Sequence, residues 1–229
     1  MAGVGVTWYT MLENGSADGV SGATLEAIAS ALRLDASEAD YLRRLADARE
    51  SVPPHAHADE LTLGALSAIE WAPAYICTSQ WTALAWNRAM SLVWNLEEPG
   101  AAPFNIAVRM FTDPRMRALH GSRFEQFAAG LVAMLRSGAG QRSDDPAYHR
   151  IYEALCEDPV FSAAWNAYTI ATPLGSIATT IDSPAIGLFV YNALTLPVPG
   201  DAGHSIVVQV PDVPSAERLR AALVRRSQL

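Results

Sequence analysis

The sequence predicts a mixed α/β (α+β) chain in which one antiparallel sheet is covered by helices and preceded by a small all-α segment. Three observations predict it. Apolar positions recur at helical spacing in residues 1–50, and β-prone segments stand at both ends of the remainder, near residues 75–85 and from residue 169 onward. Between them lies a helical block whose segments open on Asp113-Pro114, Asp145-Pro146 and Asp158-Pro159, a capping carboxylate followed by a first-turn proline. Sheet-forming ends around a helical centre favour a single sheet packed under helices, an arrangement that can enclose a pocket.

Taken in order, Ser21 caps a helix with apolar positions Leu25, Ile28 and Leu32, and Ser37 caps the next, with Asp40 in its first turn and Tyr41, Leu42 and Leu45 on one face. Residues 51–59, with Pro53-Pro54 and two histidines, break the pattern and read as a linker, dividing the chain into 1–50, 51–59 and 60–229. A helix over 61–70 follows. Residues 75–78 and 82–85 suit a hairpin, and 87–94 a helix. The run from Asp113 predicts one long helix to about residue 136, and two more should end near 157 and 167. Residues 169–181, 187–196 and 205–210 are dense in β-branched and apolar side chains, and Ser215 caps a final helix.

The totals restrict the partners. With 24 acidic residues against 16 basic ones, all arginine, the formal charge of −8 opposes attraction to phosphate backbones. Cys77 and Cys156 stand outside any CxxC pattern and read as reduced core residues. His55 and His57 lack the third ligand that a stable metal site needs, so neither a metal nor a cofactor is expected. No nucleophile motif accompanies His120, His149 or His204, and no phosphate-binding loop is present. Without a leader-like start or an apolar run of about 20 residues, a cytoplasmic protein is expected, with no membrane partner.

Several spaced motifs carry a resemblance. Residues 4–15, Val-Gly-Val-Thr-Trp-Tyr-Thr-Met-Leu-Glu-Asn-Gly, resemble the third helix of an XRE-type helix-turn-helix domain. Pro73-Ala74-Tyr75, Trp86-Asn87-Arg88-Ala89, Asn105 with Arg109-Met110-Phe111, Asp113-Pro114-Arg115, and Trp165 are spaced as in the MmyB-like domain that follows it in XRE-family regulators. The resemblance implies a PAS-like sheet that holds a fatty-acid-like or similar amphipathic molecule, behind a DNA-binding domain. Two departures count against DNA reading by this chain alone. The chain begins at the family's third helix, and Gly5, Met11 and Ser16 stand where a serine cap, a basic residue and an arginine are expected. No basic residue precedes Arg33, so the truncated, degenerate remnant has nothing to neutralise phosphate. Trp8, Tyr9 and Leu12 can instead pack on the ligand domain or seal a homodimer.

An amphipathic ligand needs an apolar tunnel with a few fixed polar groups, because an unpaired buried head group is costly. Arg109, within an otherwise apolar helix, can fork onto a carboxylate or an enolised diketone if it points inward, or else lies exposed. Asn87 and Asn105 stand near helix starts and read either as caps or as ligand contacts. Trp86, Trp94, Phe111, Phe127 and Trp165 wall a cavity or serve as ordinary core. Tyr168-Thr169 stands where the family commonly has His-Asp, so Tyr168 is a candidate proton donor beside Arg109, against a purely structural tyrosine. The expected function is a repurposed, cofactor-free enzyme of secondary metabolism, promoting dehydration, isomerisation or cyclisation of an amphipathic acid through Arg109 and Tyr168. The alternatives are a ligand-responsive transcriptional regulator and a carrier.

Overall fold

The computed structural model describes residue 10 and residues 20–46, 57–141, 146–169, 178–198 and 203–226. The expectations for residues 4–15, for most of the linker and for a strand beginning at residue 169 fall largely outside these. Helix α1 (Gly22–Leu32) starts at Ser21, whose Oγ accepts from Thr24 N at 3.3 Å, and ends where Arg33 turns left-handed at φ 55°. It buries Leu25 and Ile28 and leaves Leu32 exposed. Helix α2 (Ala36–Ala46) begins one residue before the expected cap Ser37. Asp35 caps it instead, because Glu38 three residues on closes a reciprocal capping box: Glu38 N donates to Asp35 at 2.9 Å and Asp35 N to Glu38 at 2.8 Å.

Asp59 caps α3 (Glu60–Ala68), and the chain then forms the hairpin β1 (Ala74–Thr78) and β2 (Thr82–Trp86). Asn87 caps α4 (Arg88–Trp94) and is saturated. Its Oδ1 accepts from Met90 N at 2.9 Å and Ala74 N at 3.1 Å, and its Nδ2 donates to Ile69 O at 2.6 Å and Ala72 O at 2.9 Å. A short β3 (Phe104–Asn105) leads into α5 (Ile106–Thr112). The single long helix expected from Asp113 is two: α6 (Pro114–His120), then a 3-10 turn over Gly121–Arg123 and α7 (Phe124–Gln141). The break sits at Gly121, whose φ of 54° and ψ of −130° suit only a residue without a Cβ. Asp-Pro openings start α6 and α9 (Pro159–Asn166) as expected, with α8 (Pro146–Leu155) between α7 and α9.

The chain closes with β4 (Thr179–Ser183), β5 (Gly187–Pro197), β6 (His204–Pro211) and α10 (Val213–Arg226). Ser215 falls inside α10. Asp212 is the cap, accepting from Ser215 N at 2.8 Å, while Ser215 Oγ accepts from Val190 N at 2.9 Å and ties α10 to β5. The strands form one six-stranded sheet in the order β3-β2-β1-β6-β5-β4, and every pair is antiparallel. The first hairpin and the last strands therefore meet at β1 and β6, and the helical block crosses one face, the PAS-like arrangement. β1 is buried along its whole length because Leu66 of α3 covers Ala74, Ile76 and Val208 on the outer face. On the inner face the main core runs from Trp94 and Phe124 to Phe161 and Phe189, with α2 against α7.

Within this core His120 is fully buried, its Nδ1 at 2.8 Å from Met116 O, its ring 4.1 Å from Phe127, and its Nε2 without a partner among the described residues. Burial lowers its pKa below the ordinary 6.5, against the Met116 hydrogen bond, and Arg123 adds to the lowering. The unfolded chain thus takes up a proton that the native state refuses, so this contribution is complete above pH 6.5 and is lost as pH falls below it. The denaturation midpoint should fall between pH 7.5 and 5.5, and the slope should flatten in His120→Leu; an unchanged slope in the variant would assign the effect elsewhere. Asn87→Ala removes a cap and orphans one buried and one part-buried carbonyl, and should cost about 2–4 kcal/mol in urea unfolding.

Candidate functional site

Pleating places alternate residues of each strand on one face, and the inner face of the sheet centre carries Tyr75, Tyr191, Ala193 and Gln209. Helices α4 to α7 stand off this face and leave a cavity of about 760 Å³ of space free of protein atoms, counted out to its open side. Its wall is aromatic and apolar. Trp86 and Trp94 come from the ends of β2 and α4, Phe104 from β3 and Phe127 from α7, with Met90, Met110, Met116 and Met134 between them. The polar lining is Arg109, Thr179, Gln209 and the hydroxyls of Tyr75 and Tyr191.

The polar groups lie in two places. At the floor, Trp94 Nε1 donates to Gln209 Oε1 at 2.7 Å, and the Trp94 ring meets Tyr191 at 6.3 Å. Burial pushes the Tyr75 and Tyr191 hydroxyls well above their usual range; a hydrogen bond with Thr179 partly offsets this for Tyr191. Both are therefore neutral hydrogen-bonding groups. Cys77, two residues beyond Tyr75, is pushed up to about 12 by burial and is no nucleophile at neutral pH.

Arg109 stands at the other end. Phe104 and Arg109 border both the cavity and a shallow open depression formed with Glu97, Val108, Asp113 and Arg115. The guanidinium lies 4.4 Å from the Phe104 ring centroid, donates to both Glu97 oxygens at 2.9 and 3.0 Å, and approaches Asp113 at 3.5 Å. Arg115 closes the group at 2.7 Å from Asp113, so two cations face two carboxylates. Glu97 is held below the usual carboxylate range by its own backbone amide and by Arg109 and Arg115, against some desolvation. Asp113 is lowered chiefly by Arg115, through side-chain and backbone hydrogen bonds.

Of the residues singled out from the sequence, Arg109, Trp86, Trp94 and Phe127 line this cavity. Asn87 lies outside the lining with all its hydrogen-bonding positions used. Asn105 caps α5, accepting from Val108 N at 3.1 Å and donating to Gln80 O at 2.8 Å, and borders only the shallow depression. Phe111 is core between Phe124 and Phe161, at 5.8 and 5.4 Å. Trp165 stacks on Phe161 at 5.6 Å, and Arg136 lies over both Trp165 and Tyr168, at 4.4 and 4.6 Å. Tyr168 itself is 74% exposed at the end of α9 and does not meet Arg109. Gln209 and Tyr191 were not singled out. Their strand alternation was visible, but only the sheet register shows which face looks inward.

No curated protein matches the chain. The family model for the MmyB-like transcription regulator ligand binding domain matches residues 58–223, which takes in α3 to α10 but for the last turn, and with them the sheet and every residue of the cavity wall. The chain therefore belongs to the family of MmyB-like transcription regulator ligand-binding domains.

Proposed function

We propose that the cavity binds an elongated, fatty-acid-like amphipathic molecule with its acidic head at Arg109, and that the chain works as a ligand-responsive element. The observation that carries this is a cavity with an aromatic and apolar wall bordered by one guanidinium, that of Arg109, which also borders an open surface depression. Glu97 occupies that guanidinium now. Its side chain is half exposed, so a ligand carboxylate can take its place on Arg109 while Glu97 turns into water. A net charge of −8 argues that the bound state is read by a partner protein or a second copy rather than by direct DNA contact of this chain.

The second reading, a cofactor-free dehydratase, isomerase or cyclase, rests on the buried hydroxyls of Tyr75 and Tyr191. Both can donate a hydrogen bond to a developing negative charge. Because burial raises their pKa, neither is a base at neutral pH, and Tyr168 stands outside this cavity. Binding is therefore the reading favoured. Native mass spectrometry after incubation with bacterial extracts separates the two: a retained molecule of unchanged mass supports binding, and one returned chemically altered supports turnover.

Two variants test the head group. Arg109→Met should weaken dodecanoate binding about 10- to 100-fold in calorimetry, the range for a charge-assisted hydrogen-bonded pair. Glu97→Gln should strengthen it, since the competing carboxylate is gone. Equal affinities across wild type and both variants would remove the acidic head from Arg109.

A further inference from the structure

The cavity lining holds two side-chain donors without an acceptor among the described residues. An indole N–H only donates, so the contact with Trp94 engages the Gln209 oxygen and leaves the amide nitrogen as the donor that this lining residue can offer the cavity. Neither that nitrogen nor the Tyr75 hydroxyl has a hydrogen-bond partner among the described residues. Both side chains line the cavity and are deeply buried, with 4% and 7% exposure. Tyr75 pairs with Val207 on the neighbouring strand, and Gln209 is two residues along the same face. They are diagonal neighbours, roughly 7 Å apart between Cα atoms, a separation from which two side chains can converge on one atom.

Resting on the amphipathic-ligand reading above, we propose that Tyr75 and Gln209 form a second polar subsite that binds a neutral acceptor oxygen on the buried part of the ligand, of the ketone, lactone or amide carbonyl class. Buried donors left unpaired are costly, and a carbonyl oxygen with two lone pairs satisfies one from each side chain. A charged oxygen does not suit the floor. The cation among the described lining residues is Arg109, already engaged by Glu97 and Asp113 at the far end, and the surrounding wall is apolar. The ligand thus carries two oxygen functions, one at Arg109 and one at depth, rather than a plain alkyl tail.

The test measures the affinity of dodecanoic acid against oxododecanoic acids with the ketone at successive carbons, with neutral decanones against decane run in parallel. One oxo position should bind about tenfold tighter than the saturated acid. Tyr75→Phe should reduce that advantage to threefold or less without weakening the saturated acid, and Gln209→Met should do the same. If dodecanoic acid binds and every oxo acid binds no better, the floor subsite is wrong and the pocket reading stands. If no acid binds, the head-group reading fails, and the decanones decide the subsite: a Tyr75-dependent advantage over decane supports it, and equal affinities overturn it.

Discussion

Four hydrogen bonds to one side chain hold the ligand-binding domain in register. Asn87 stands where β2 becomes α4, and its amide reaches back to the segment ahead of β1 and forward to the first turn of the helix. Remove it, and the hairpin, the approach to it and the helix that brings in Met90 and Trp94 lose their common anchor. Among side chains, only asparagine and glutamine set two N–H donors beside an acceptor oxygen, and the shorter one is the favoured helix cap. What looked from the sequence like a choice between a cap and a ligand contact is a structural joint that fixes the cavity wall from behind.

The joint's effect reaches the floor through Trp94. Its position at the end of α4 sets the indole against Gln209, and that contact leaves the Gln209 amide nitrogen as the donor on offer to the cavity. The surroundings of Arg109 are governed separately, by a balanced group of two arginines and two carboxylates at the edge of the domain. Deep polarity is thus neutral and directional, whereas the polarity around Arg109 is ionic.

Most of the architecture was legible in the sequence. Asp-Pro openings at residues 113 and 158 mark helix starts because carboxylate and ring each satisfy a local requirement. The hairpin, the final strands and the adjacency of chain ends in one sheet followed from β-branched texture. What could not be read was which of several neighbouring candidates takes a cap or ends a helix, and which side chains of the site face inward. Asp35 and Asp212 took the caps assigned to Ser37 and Ser215, because a partner three residues on favoured the carboxylate in each case. Gly121 ended a helix that periodicity continued. Of the candidate site residues, Arg109 and Trp86 line the cavity, whereas Tyr168 lies at the surface with Arg136, since nothing local distinguishes an inward tyrosine from an outward one.

The four methionines of the family-matched region all face the cavity. Unbranched thioether chains change rotamer at little cost and present a polarisable surface to rings and alkyl chains alike. A wall built this way conforms to its guest, so it discriminates weakly on contour and leaves selection to the few fixed polar atoms. The same wall is an oxidant's target: one sulfoxide would set a polar oxygen among indoles and phenyl rings and change what the cavity accepts.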